Sequence, residues 1–159
     1  MTEKDLILRQ LRQAFNEKSW HGTNLNGAIR GLYVATAAWR PQPERHNIWE
    51  LIVHCAYWKY TVIRRITGES KGSFALKGSN FFPRPEVPSI KALKADIRLL
   101  KDYHDLLMDT VAGMSAKDLN HVAEGSTLSN RDAIIGIAAH DLYHAGQIQL
   151  IKRLNRQAQ

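Results

Sequence analysis

The sequence predicts an all-α fold, an antiparallel four-helix bundle, on three observations. Four long stretches repeat apolar residues at alternating steps of three and four, the period of a helix with one buried face. No segment sustains the apolar–polar alternation of a half-buried strand. A chain of 159 residues, 44% hydrophobic and 23% charged, can bury one core without disulfides, so a single domain over 1–159 is expected.

The first helix is expected over about residues 5–18, with Leu8, Leu11 and Phe15 on one side, and it breaks at Trp20-His21-Gly22. A shorter helical piece follows, capped by Thr23, that turns Leu25, Ala28, Ile29 and Leu32 inward. Pro41 and Pro43 mark a loop.

The second long helix starts near Asn47, a good capping residue with Glu50 three positions on, and stops at Gly68. It is strongly apolar, with Trp49, Leu51, Ile52, Val53, Val62 and Ile63 among its residues. Residues 69–88 carry Gly72, Gly78, Pro83, Pro85 and Pro88 and read as a loop of about twenty residues, longer than compact domains usually tolerate without purpose. Its apolar centre, Phe81-Phe82-Pro83, either packs on the body or makes residues 79–85 a lid.

The third helix runs from Ser89 to about Val111, with Ile90, Leu93, Ile97, Leu100, His104, Leu107 and Val111 along its seam. The fourth spans about 130–154, and its seam reads Ala133, Ile137, His140, His144, Gln147, Ile151 and Leu154. Facing seams of this kind interdigitate in bundle cores.

Charge narrows the function classes. The formal charge is +7 and the isoelectric point near 9.7, yet the basic residues, Arg9, Arg30, Arg64, Lys94 and Arg153 among them, are spread over every segment and mixed with acids. A nucleic-acid binder concentrates its charge on one face or arm, so no nucleic-acid partner is expected. The charged start, Met1-Thr2-Glu3-Lys4-Asp5, does not read as a secretory signal, and no run approaches the roughly 18 apolar residues of a membrane span. One cysteine, Cys55, excludes an internal disulfide framework and fits a reducing compartment. A cytoplasmic protein without a membrane partner is expected.

Chemistry concentrates in the fourth seam. Burying a polar group without a partner costs on the order of 1–3 kcal/mol, so His140, His144 and Gln147 on one apolar face need a reason. Four residues of separation stacks the two imidazoles about 5–6 Å apart at their β-carbons, a spacing that suits one metal ion. His54, central in the second helix between Leu51 and Trp58, offers a third ring from a facing helix. Three neutral histidines leave coordination positions open, as catalytic metal sites do. The competing reading is three core histidines, each satisfied by its own hydrogen bond, and spacing alone leaves both open.

Other residues rank behind these. His104 is the candidate for a fourth ligand, though a partly wet position near the bundle end is the commoner fate. His21, His46 and His121 fall in loop-like sequence. Asp141 could orient a liganding ring or be a solvated helix acid, and Tyr143 projects away from the seam. Cys55 points about 100° round the helix from His54 and reads as core filler.

The run His140-Asp141-Leu142-Tyr143-His144-Ala145-Gly146-Gln147-Ile148 resembles the C-terminal signature of the DinB-like family, which includes the YfiT-like metal-dependent hydrolases. Ile48-Trp49-Glu50-Leu51-Ile52-Val53-His54 resembles that family's second-helix signature, and Trp20-His21-Gly22-Thr23-Asn24-Leu25 its early segment. The resemblance covers essentially the whole chain. It implies a four-helix bundle, often a homodimer, with a metal bound by His54, His140 and His144. The resemblance implies mixed activity: some relatives transfer low-molecular-weight thiols or isomerise thiol adducts with metal help, and many have no assigned reaction.

The expectation is a metal-dependent enzyme acting on a small-molecule substrate, a hydrolase or a thiol transferase. A divalent transition metal is expected, with zinc and nickel heading the candidates, and a low-molecular-weight thiol as a further cofactor. Asp141 and Glu50 are the candidates for a general base, and Gln147 and Trp58 for contacts to cofactor or substrate. The alternative is a non-enzymatic metal- or ligand-binding bundle.

Overall fold

The computed structural model describes residues 1–70 and 72–158. Seven helices occur among them: α1 (Glu3–Phe15), α2 (Leu25–Ala28), α3 (Val34–Ala38), α4 (Ile48–Thr67), α5 (Ile90–Gly113), α6 (Ala116–Asn120) and α7 (Asn130–Gln157). The one extended pairing among these residues is an isolated bridge between Val122 and Ser129. The fold is all-α, as the spacing predicted.

Local chemistry sets the helix ends. The first amides of a helix lack intrahelical acceptors. Thr2 with Asp5, Asn47 with Glu50 and Ser129 with Asp132 satisfy them reciprocally at α1, α4 and α7, while Ser89 alone caps α5. Gly68 ends α4 at φ 71°, a left-handed conformation that glycine adopts without a Cβ clash. The cap of α2 is Asn24 rather than Thr23; its side chain accepts from Gly27. Helices α3 and α6 were not expected, being single turns too short to show a period.

The four long helices close a ring: α4 packs on α5 and α7, and α1 packs on α7 and α5. The expected antiparallel packing holds at α4·α7, where Arg65 reaches Leu128 just before α7, and at α1·α5, where Lys4 bonds the Ala112 and Met114 carbonyls. The α1·α7 and α4·α5 pairs run parallel. Glu3 meets Arg131 at the two N-terminal ends of α1 and α7, and Trp49 at the start of α4 donates to Asp96 early in α5. The long connection at 69–88 makes the second parallel pair possible, because it carries the chain back along the bundle before α5 begins. Within that connection Lys71 lies outside the described residues.

Two apolar clusters fill the ring. One gathers Leu25, Ile48, Ile52, Leu100 and Ile148; the other gathers Leu11, Val62, Leu107, Val111 and Ile134. At the level between them each helix contributes a different kind of side chain. Lys59 of α4 and Asp141 of α7 pair with neither exposed to solvent, Lys59 Nζ sits 5.1 Å over the Phe15 ring of α1, and His104 of α5 stacks on that ring at 3.8 Å.

The seams differ from the sequence reading in three places. His104 is 1% exposed, not partly wet, because Phe15 covers it. Ile90, on the first turn of α5, is exposed. On α7 the fully buried stripe is Ile134, Ala138, Asp141, Ala145 and Ile148, one position round from the one expected. The rotation leaves His140, His144, Gln147 and Ile151 on the flank of that stripe, facing a cavity rather than the centre of the core. No helix of the described residues is long and apolar enough to cross a membrane.

Candidate metal centre

Antiparallel packing of α4 on α7 brings the three histidines together. His140 Nε2 lies 3.1 Å from His54 Nε2 and 3.0 Å from His144 Nε2. His54 and His144 are buried and His140 half-buried. The edge of a tetrahedron with metal–nitrogen bonds of about 2.0–2.1 Å is roughly 3.3 Å. The ring nitrogens are therefore spaced almost as one ion would hold them.

The far nitrogens decide what the near ones can do. His54 Nδ1 donates to the Asn80 carbonyl at 2.9 Å, and His144 Nδ1 donates to Gln147 Oε1 at 2.7 Å. Each neutral ring then carries its proton on Nδ1 and a lone pair on Nε2. His140 Nε2 stands between those two lone pairs. Any proton on it can serve only one of them, and the other contact would set lone pair against lone pair. His140 Nδ1 is buried without a hydrogen-bond partner.

A cationic ring is also disfavoured. Burial, reinforced by His144, His54 and Lys59, pushes His140 down to about 3. Burial brings His144 down to about 4, against the hydrogen bond to Gln147. Burial lowers His54 as well, with the Asn80 bond opposing it. The donor set, three neutral imidazoles with acceptors fixing two of the tautomers, fits a divalent transition metal.

The residues around the rings come from the long connection and the start of α4. Asn80, at φ 63°, supplies its carbonyl to His54 and its Oδ1 to Trp58 Nε1 at 3.0 Å. Phe81 lies flat between two imidazoles, 4.0 Å from His54 and 3.7 Å from His46. These rings open onto a cavity of about 790 Å³, whose wall continues through Arg45, Tyr143, Leu150 and Leu154. Of the segment 79–85, Asn80 and Phe81 thus form part of the wall. Asn80, Phe81, His46 and Arg45 were not singled out as site residues. The apolar pair at 81–82 was the one signal in sequence, since a loop that buries Phe82 must lie against the body.

Gln147 and Trp58, the candidates for contacts to cofactor or substrate, both line the cavity. Neither expected base does. Asp141 is turned into the core onto Lys59. Glu50 is held by Arg40 and His46 and accepts from the Asn47 amide. Burial works against the Glu50 carboxylate, but the hydrogen bonds from Arg40 and His46 outweigh it and keep its pKa below the ordinary range. His104, the candidate fourth ligand, lies in the core on Phe15 and is not in the cavity wall. Cys55 is fully buried, and burial raises its thiol well above the usual range.

A family model described as the DinB superfamily matches residues 18–148, a span that includes all three histidines. No curated protein and no solved structure gives a significant match to the chain.

Proposed function

This chain belongs to the DinB superfamily, and we propose that it is a metal-dependent enzyme acting on a small molecule, by hydrolysis or by transfer of a thiol. The observation that carries the reading is the convergence of three Nε2 atoms with two of their tautomers fixed from behind. His54, His140 and His144 would hold the ion, and zinc or nickel suits three imidazoles. When bound, such an ion supplies a Lewis acid that makes water or a thiol nucleophilic near neutral pH.

The chain's own residues do the rest. The Asn80 carbonyl and the Gln147 amide orient two ligand rings, and Phe81 shields the His54 ring from solvent. The cavity has room for a substrate of drug-like size. Its wall is apolar along Leu51, Phe81, Tyr143, Leu150 and Ile151, and Arg45 stands at its edge. That surface favours an apolar substrate body.

One observation favours the alternative of a non-enzymatic metal- or ligand-binding bundle: neither Asp141 nor Glu50 lines the cavity, and among the described residues no other Asp or Glu does, so none is on hand there as a general base. A screen of thiol-transfer and ester- or amide-hydrolysis substrates on metal-loaded protein separates the two. Turnover that disappears in His140→Ala supports the enzyme. A protein that binds one ion per chain and turns over no substrate class is a binding module.

A further inference from the structure

Charge in the cavity beside the histidines is one-sided. Among the described residues no Asp or Glu lines it, and Arg45, protonated at any ordinary pH, is the one permanently charged group in its wall. Arg40 is paired with Glu50, and Arg84 with Asp96 and Glu86. The guanidinium of Arg45 is exposed and, among the described residues, has no carboxylate partner.

The backbone of Arg45, by contrast, is held from both sides. Its amide donates to the Gln42 carbonyl at 3.0 Å, and its carbonyl accepts from Arg40 Nη1 at 2.7 Å. Arg40 is itself locked on the buried Glu50 carboxylate, which also holds His46, and His46 stacks on Phe81. Glu50 thus steadies the base of a side chain whose cationic end is free. A fixed backbone lowers the ordering cost of binding through that side chain.

A second cavity, of about 920 Å³, adjoins the first. The two share Pro41, Arg45 and Leu154, so Arg45 stands where they meet. The inner cavity is walled by Leu51, Phe81, Leu150 and Ile151, whereas the outer one adds the exposed Gln42, Glu44 and Gln157. A molecule with its apolar body in the inner cavity brings its polar end to Arg45. We propose that Arg45 binds the carboxylate of that molecule, which makes an apolar monocarboxylate the class of ligand this cavity takes. The planar fork of a guanidinium meets the two oxygens of a carboxylate with two parallel hydrogen bonds. A phosphate dianion fits less well: one cation faces two negative charges, and Glu44, in the outer wall, repels them. Arg45 is then a specificity-determining residue. The proposal rests on reading the inner cavity as a small-molecule site and does not depend on what the histidines bind.

The test is calorimetric titration of octanoate, and of octanamide as its neutral isostere, into the chain as purified and after a chelator has removed metal. At fixed salt, octanoate is expected to bind about tenfold more tightly than octanamide in both forms. Arg45→Gln should abolish that ratio by weakening octanoate alone, with octanamide affinity and helical signal unchanged. Arg45→Lys, which keeps the charge but not the fork, should retain part of it. Arg9→Gln, which removes an exposed charge outside both cavities, should retain all of it. A preference for octanoate that survives Arg45→Gln in the metal-free chain overturns the proposal. So does octanoate that binds no better than octanamide, or octyl phosphate that binds more tightly than octanoate. Zinc uptake, measured on the same preparations, separates this result from the reading of the histidines. An Arg45-dependent preference without zinc uptake removes the metal and leaves the carboxylate site; zinc uptake without the preference does the reverse.

Discussion

His144 Nδ1 donates to Oε1 of Gln147, three residues along the same helix, at 2.7 Å. The contact leaves His144 one usable lone pair, and that lone pair faces His140 and the cavity. If Gln147 acts only through this bond, Gln147→Leu should weaken zinc binding by about 10–100-fold, the usual cost of losing such an orienting partner. Gln147→Glu, which keeps an acceptor, should retain the affinity. Competition with a chromophoric chelator reads both. Equal affinities in the two variants would remove Gln147 from the site's design.

Asn80 holds His54 through its backbone, so its conformation matters more than its amide. At φ 63° a glycine is unstrained and a β-branched residue is not. Asn80→Gly should keep zinc affinity near that of the parent protein, although it loses the bond to Trp58. Asn80→Val should lower affinity, because relief of strain of about 1–2 kcal/mol shifts the carbonyl away from Nδ1. The same chelator competition ranks the three proteins.

Lys59 and Asp141 answer each other in a layer where both are 0% exposed. Removing one leaves an uncompensated buried charge, which typically costs 3–5 kcal/mol. Lys59→Met and Asp141→Leu singly should therefore lose about that much in urea denaturation. The double variant should recover most of it, and a double variant no more stable than either single one would show that the pair is not coupled.

Acid should destabilise the metal-free protein from near pH 6.5 downward. Burial, with Lys59 nearby, pushes His104 down to about 3 in the folded state. Between those values the unfolded chain binds a proton that the folded chain does not, so stability is full above 6.5 and is lost as pH falls. One such histidine costs about 1.4 kcal/mol at pH 5.5. His104→Leu should flatten that part of the stability curve, read as the urea midpoint against pH; an unchanged slope would mean the ring is wet or charged when folded.

Much of this was legible in sequence because it rests on local rules. Asn47 with Glu50 and then Gly68 set the bounds of α4, and the three-and-four spacing set the type of every long helix. One residue central in α4 and two residues four apart on α7 made a shared site of His54, His140 and His144 one of two open readings. The resemblance to the DinB-like family favoured it, and the structure brings the three rings together. What was missed depends on packing. The α7 seam was read one position off because Asp141 looks like a surface acid until Lys59 is seen opposite it, and Lys59 in turn looks like a surface base. Asn80 and Phe81 act through a backbone carbonyl and a stacked ring, neither of which has a spacing signature. The parallel run of α4 and α5 was hidden in the length of residues 69–88, which admits either direction.

The most direct test of the central claim is X-ray absorption at the metal edge of untagged protein loaded with one equivalent of zinc. The geometry predicts three imidazole nitrogens at about 2.0–2.1 Å, one ion per chain, and loss of that signal in both His54→Ala and His140→Ala. A chain that takes up no stoichiometric zinc or nickel, or an ion whose spectrum lacks histidine ligands, would contradict it.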